Sequence, residues 1–378
     1  MYYYYNLILF YIYSFLIKVV LPFSPEYNNL ILWIQKNQGY INEKVIPDET
    51  SKFNRIILAK KNIAKNELIS FIPEKIILSS INPLLNSICR KAYGLYHTSD
   101  LECITLFITF DKFNKTSFFK PYYDYLPKFN ISNLPTSYSN EKLKSFEELE
   151  FDLHVGISNN KLKNAYNEYV EKILEKKGIK NPFEEFKYNY EIVKSRNFAR
   201  PGSEFFFDLN SCVPFIELFN HDNNYNTDFE FDEKNKGFIL KAVKDIKSGE
   251  ELTVSYGNES NINLFMNYGF TLNYNKYKNS IRVKIGEGFY RFYPSENDEN
   301  NIKDIFNIVK SLKEIYGFDK NKEIFIYNLM IYGLEKKLEK ISLIKKDNID
   351  INIKNIINEE VLSINNYIKI IKNLIKVK

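Results

Sequence analysis

The strand-forming sequence of this chain comes in two blocks, separated by helix-patterned residues 81–195 and followed by a second helical stretch. Arg55–Lys60 and Glu67–Ile72, the latter closed by Pro73, read as short strands. Strand signals resume at Val213–Leu218 and Phe229–Asp232, then from Phe238 to Ser255. Between the blocks the pattern is helical with charged faces, broken by the proline-punctuated segment Phe118–Leu134. From Asn301 onward the period is helical again, and Val361, Leu362, Tyr367, Ile368, Ile371, Leu374 and Ile375 form one apolar stripe on a helix over 358–377. The folded part begins near residue 25. Ser24 is a helix N-cap, Pro25 suits the first turn, Glu26 complements the positive end of the dipole, and Gly39 is a natural stop. The runs Ala59…Ile63…Glu67 and Ala242…Ile246…Glu250 share one spacing, and read most simply as two ordinary hairpins.

Composition removes several function classes. Of 378 residues, 44% are hydrophobic and 26% charged, which suffices for a packed core. A net charge of +5, dispersed among acids, gives no footprint for nucleic acid. The aromatic share of 16% runs through helices and loops alike, as a composition bias would. Cys89, Cys103 and Cys212 form no CxxC pair and no even-numbered framework, so a structural metal site is not supported and each reads as a small buried hydrophobe. Leu7–Leu21 is apolar but short for a membrane span and lacks the positive lead of a signal peptide. Secretion signal, anchor and inert leader stay open for it.

Two segments carry candidate chemistry. In Val213-Pro214-Phe215-Ile216-Glu217-Leu218-Phe219-Asn220-His221 an Asn-His pair follows an apolar run. In Gly249–Gly257 a turn and a strand end on Ser255-Tyr256-Gly257. No second ligand at metal spacing accompanies His221, and no nucleophile elbow supports a hydrolase triad. Taken together with their flanks, the segments resemble those of SET methyltransferases, in the subgroup of the Rubisco large-subunit methyltransferase. Ser195-Arg196-Asn197-Phe198-Ala199-Arg200 is similar to that subgroup's Ser-Arg-x-Phe-x-Arg segment. Phe118–Pro127 is similar to its insert motif, and Leu32-Trp33 through Gly39-Tyr40-Ile41 to its opening helix. Ser260-Asn261 and Tyr268-Gly269-Phe270 extend the tyrosine motif. The ordered set spans about residues 27–275.

The resemblance implies an α+β fold: a SET-type β-fold of small sheets with a pseudoknot, interrupted by a helical insert and followed by an all-α domain. It divides the chain into an apolar segment 1–24, SET parts at 25–80 and 196–285, the insert 81–195, and a helical substrate-binding-like domain 286–378. It implies S-adenosyl-L-methionine as cofactor, no metal, and transfer of its methyl group to a lysine of a non-histone protein. Tyr256 would be catalytic. Arg55, Arg196, Asn220, His221 and Tyr256 would hold the cofactor, and Arg200, Glu217 and Tyr268 would line the lysine side. The expected partner is a protein substrate, with no nucleic acid, membrane contact only through residues 1–21, and a monomeric state. The expected compartment is cytoplasm or nucleus, with a secretory or anchored location left open. Two departures stand out. The Gly-x-Gly stretch that the family places at its first strand reads Phe53-Asn54-Arg55-Ile56, and Glu217 stands where the subgroup often has Asp. The alternatives are protein-histidine methylation, a catalytically inactive SET-like peptide-binding module, and a membrane-associated structural protein resting on residues 1–21 alone.

Overall fold

The computed structural model describes residues 24–48, 55–79, 82–93, 100–126, 131–200, 209–344 and 349–377. The apolar segment 1–21 and residues Phe53 and Asn54 lie outside the described residues. By its contacts the chain divides into two compact units, 1–129 with 169–255 and 130–168 with 256–378. The bounds implied by the resemblance, 24/25, 80/81, 195/196 and 285/286, mark family segments rather than contact units. Helical periodicity marks where helices lie and says nothing about which core each one joins.

In the first unit, α1 (Pro25–Lys36) starts where expected. The Ser24 Oγ accepts the Tyr27 amide at 3.2 Å, and Tyr27, Leu30, Trp33 and Ile34 turn inward. Its end differs in mechanism. The left-handed residue is Gln38, with φ 70°, while Gly39 is required by close approach: a Cβ there would sit 2.4 Å from Ile34 Cγ2. Five strands follow, β1 (Tyr40–Ile41), β2 (Val45–Asp48), β3 (Ile56–Ala59), β4 (Leu68–Pro73) and β5 (Leu78–Ser79). The insert contributes α2 (Pro83–Tyr93), α3 (Asp100–Asp111) and α4 (Lys120–Tyr125) to this unit. It gives α5 (Asn140–Lys144) and α6 (Phe151–Ala165) to the other, then returns with α7 (Glu171–Lys176) and α8 (Pro182–Lys194). The second block supplies β6 (Asn197–Arg200), β7 (Leu209–Cys212), β8 (Asn220–His221), β9 (Thr227–Asp232), β10 (Gly237–Ala242) and β11 (Thr253–Val254).

These strands make small sheets, as the α+β expectation requires: β1-β4-β10-β9, β2-β3, β5-β7-β6 and the parallel pair β8-β11. The antiparallel pairing of β4 with β10, Ile72 opposite Phe238 and Ser70 opposite Leu240, joins the two sequence blocks across the insert. Val213–Leu218 is not a strand. β7 stops at Cys212, Phe215 takes φ 73°, and Ile216–Leu218 is a 3₁₀ turn. Every residue from Val213 to Phe219 is buried, and a continuous apolar run cannot distinguish a buried strand from a buried turn.

The equally spaced runs are not hairpins either. They cross each other antiparallel about a local two-fold axis. Ile63 and Ile246 exchange both backbone bonds at 2.9 Å, Ala59 N donates to Glu250 O at 2.9 Å, and Ala242 N donates to Glu67 O at 3.0 Å. Side chains repeat the symmetry: Lys65 N donates to Asp245 Oδ1 at 2.8 Å, and Ser248 N donates to Asn62 Oδ1 at 2.9 Å. The shared spacing therefore records a pairing between distant segments, which local turn reasoning does not reach.

Packing of α2 on α3 adds a contact to the cysteine reading, in which each cysteine was a small buried hydrophobe. Cys89 and Cys103 are buried with Cα atoms 5.4 Å apart and their sulfur atoms in contact, while Cys212 is a separate buried thiol. Linear spacing does not show that two packed helices bring these residues face to face.

In the second unit, α9 (Asn261–Tyr268) is capped by Ser260 and closed by Gly269 at φ 81°. A hairpin follows, β12 (Ile281–Ile285) and β13 (Gly288–Phe292), then α10 (Asp298–Tyr316), α11 (Glu323–Ser342) and α12 (Ile351–Val377). The hairpin precedes the helical periodicity that begins at Asn301, and it falls in a stretch to which the sequence reading gave no strand. Ile281, Val283 and Ile285 point into the core, and Gly333 of α11 lets the hairpin approach so closely that a Cβ would meet Lys284 O at 2.6 Å. The long helix starts at 351 rather than 358. Its core face carries Tyr367, Ile368 and Ile371 as expected, with Val361, Leu374 and Ile375 packed against it, but Leu362 is 71% exposed, because Ile364 and Ile357 occupy the inward rows instead. Phe146, Leu149 and Phe151 of the insert join this same core. Among the described residues no helix is long and apolar enough to cross a membrane.

Candidate functional site

In the first unit the candidate residues gather around one short pairing. β8 lies parallel to β11, with Asn220 opposite Thr253 and His221 opposite Val254, and the Asp222 amide donates to Val254 O at 3.1 Å. β11 leads in sequence straight into Ser255-Tyr256-Gly257. The Asn220 Nδ2 donates to Glu251 Oε1 at 2.9 Å and to the Arg55 carbonyl at 3.3 Å, which ties the Asn-His pair to the first strand block. His221 is buried. Arg55 donates from Nη1 to Tyr125 O at 2.6 Å and lies over the Tyr125 ring, 4.2 Å from its centroid.

Glu217 sits just before this pairing and is buried. Its Oε2 accepts the Tyr122 hydroxyl at 2.6 Å, its Oε1 lies 3.9 Å from Arg196 Nη1, and its carbonyl accepts from the same nitrogen at 3.1 Å. Burial pushes the carboxyl up to about 7, opposed by Arg196, the Tyr122 hydroxyl and Arg55. Burial and then Glu217 raise the Tyr122 phenol, and burial and then Glu217 raise the Cys212 thiol. Arg55, Arg196 and Glu217 thus form one electrostatic group in which two cations face one partly neutral carboxyl. Arg200 ends β6 opposite Leu209, and its side chain lies outside what the structure describes.

The second unit holds the tyrosines. Tyr256 and Tyr268 lie with ring centroids 4.6 Å apart, and Phe270 completes the cluster at 6.3 and 6.2 Å. Tyr268 is pushed up to about 12 by burial and then by Glu259. The structure therefore brings Arg55 to Asn220, Arg196 to Glu217, and Tyr256 to Tyr268. Three residues given no role by the sequence reading take part. Tyr122 and Tyr125 come from the insert motif, and Glu251 lies in the segment ending on Tyr256. The motifs contain all three, but their partners are far away in sequence and only folding reveals them. Among the described residues no group of three or more histidine, cysteine or carboxylate side chains is placed to hold a metal ion.

A SET domain family model matches residues 54–257, more than half of the chain. The chain belongs to the SET domain family. Its sequence relatives within the SET family include SET domain-containing protein 4 of Artemia parthenogenetica, 22% identical over 256 residues, 65% of this chain and 62% of that protein. N-lysine methyltransferase setd6 of Danio rerio is 24% identical over 262 residues, 64% and 56% of the two chains. Protein-lysine N-methyltransferase EFM1 of Saccharomyces cerevisiae is 23% identical over 303 residues, 67% and 51%. This chain thus spans 51% to 62% of these relatives' own lengths. Among solved structures, the SET domain of LSMT bound to lysine and AdoHcy matches with a TM-score of 0.69 at 16% identity, over 93% of this chain and 92% of that one. Rubisco LSMT bound to AdoMet matches over the same shares with a TM-score of 0.65. The likeness establishes the SET fold with its helical insert and helical C-terminal region.

Proposed function

We propose that this SET protein is an S-adenosylmethionine-dependent protein-lysine N-methyltransferase acting on a non-histone protein. The observation that carries the reading is the β8–β11 pairing, which sets the Asn220-His221 pair beside the strand leading into Tyr256. The names of the relatives from Danio rerio and Saccharomyces cerevisiae support lysine as the acceptor, and the LSMT structures support the cofactor.

The residues present fit such a cofactor. Arg55 and Arg196 give an excess of cation beside Glu217, suited to a carboxylate-bearing ligand. The long side chain that stands where the family has glycine is drawn onto the Tyr125 ring. When bound, S-adenosylmethionine supplies a methyl carbon activated by a sulfonium. The chain's own part is to hold the acceptor nitrogen in line and unprotonated. A free lysine ammonium has a pKa of about 10.4, and desolvation against Tyr256, Tyr268 and Phe270 favours its neutral form. The Tyr256 hydroxyl would orient the amine without competing as a nucleophile, and fixed orientation is where most of the acceleration arises.

The test is to incubate the purified chain with labelled S-adenosylmethionine and a cell extract, and to map the label by mass spectrometry. Label on lysines of a few non-histone proteins is expected. Label on histidine would replace lysine as the acceptor, and preferential labelling of histone tails would overturn the substrate class. Absence of both label and cofactor binding would leave a SET-like peptide-binding module.

A further inference from the structure

Arg55 stands in the Phe53–Ile56 stretch, where the sequence departs from the family's glycines. A long cationic side chain at such a place must be stored somewhere. It is stored on the insert, with the guanidinium 4.2 Å from the Tyr125 ring centroid and Nη1 donating to the Tyr125 carbonyl at 2.6 Å. The Tyr125 ring is itself held, buried and 5.5 Å from the Tyr27 ring. Its helix, α4, is anchored by Phe119, which packs between Trp33 and Phe107. On its other side Arg55 accepts from Asn220 Nδ2 through its carbonyl. The residue therefore couples the insert to the Asn-His strand. A guanidinium has five donors in one rigid plane, and a plane held over a ring and tied to a carbonyl keeps its fork aimed in a fixed direction.

We propose that Tyr125 is a positioning residue for Arg55, and that the pair forms a clamp for the carboxylate of the cofactor's amino-acid end. This rests on the methyltransferase reading above. The charges support it: Arg55 and Arg196 both act on the buried Glu217 carboxyl, and Arg196 Nη1 stands 3.9 Å from its Oε1, so two guanidinium groups are available to a ligand carboxylate. In purely structural packing, by contrast, Arg55 would merely fill space against Tyr125.

The two roles separate by ligand. Calorimetry on the full chain would compare S-adenosylmethionine with its decarboxylated form, which differs only in that carboxylate. The parental protein should bind S-adenosylmethionine about tenfold or more tightly than the decarboxylated form, as loss of one charge-assisted contact requires. Tyr125→Leu should weaken S-adenosylmethionine about tenfold and leave the decarboxylated form within about twofold. Tyr125→Phe, which keeps the ring, should restore the parental pattern. Arg55→Gln, at a half-exposed position, should give the same selective loss and carries the test if Tyr125→Leu does not fold. Equal weakening of both ligands, or no weakening of either, would overturn the clamp while leaving the methyltransferase reading intact. Failure of the parental protein to bind either ligand would overturn both.

Discussion

Glu217 in the first unit and Glu360 in the second are both buried, and burial pushes each carboxyl up to about 7. Their surroundings differ. Glu217 accepts a tyrosine hydroxyl, shares Arg196 with its own backbone, and lies three residues before Asn220. Glu360 faces Lys337 at 3.4 Å inside a helical core, and that lysine also meets the Glu148 carbonyl and, at 3.4 Å, the Glu148 carboxylate. The first group belongs to the candidate site. The second clasps insert residues 147–150 to the bundle. Two carboxyls with the same raised value thus differ in role, so a perturbed pKa marks a site only when its partners point toward a ligand.

The contrast can be attacked by mutation, beginning with the largest effect. Lys337→Ala removes the cation from the clasp and leaves Glu360 buried beside Glu148. Breaking such a pair from one side should cost about 3 kcal/mol, read by denaturant unfolding. A loss below about 1 kcal/mol would mean that Lys337 contributes packing alone.

The next effect is a pH dependence. Each glutamate has its folded value near 7 against 4.5 for the free group. Between those values the folded chain keeps a proton that the unfolded chain has lost. Stability should therefore fall as pH rises from about 4.5 to 7 and level off above, by on the order of 2–3 kcal/mol for each group. Glu217→Gln and Glu360→Gln should each flatten that fall in thermal melts taken across the range. Only Glu217→Gln should also change cofactor affinity, and a matching change in Glu360→Gln would erase the contrast. The smallest effect is at Lys340, an exposed partner of Glu148 at 2.8 Å. Lys340→Ala should shift stability by less than about 1 kcal/mol. A loss as large as that from Lys337→Ala would show that exposure does not separate the two lysines.

What the sequence could reveal follows the range of the interactions. The α1 cap at Ser24 and the helical insert are written in local pattern and were legible, whereas the Asn220-His221 and Tyr256 segments stood out only through their resemblance to a family. The hairpin β12–β13 was also written locally, since Ile281, Val283 and Ile285 alternate with Arg282 and Lys284. The sequence reading stopped its strand signals at Ser255 and passed over that alternation. The turn at Phe215 was hidden because its apolar run is buried on every side. The crossing of 59–67 with 242–250, the Cys89–Cys103 pair, the Tyr122–Glu217 bond and the Lys337–Glu360 clasp all join distant segments. No periodicity encodes them, although the equal spacing around Ile63 and Ile246 was a trace of one.

Methyl transfer by this chain should depend on Tyr256, and that dependence is read from the turnover of Tyr256→Phe beside the parental chain, using labelled S-adenosylmethionine and the protein substrate found in extract. The variant should fold and its turnover should drop about 10²–10³-fold, the loss expected when one preorganised polar group is removed from a transition state. Turnover within about threefold of the parental chain would be far smaller than that loss and would contradict it.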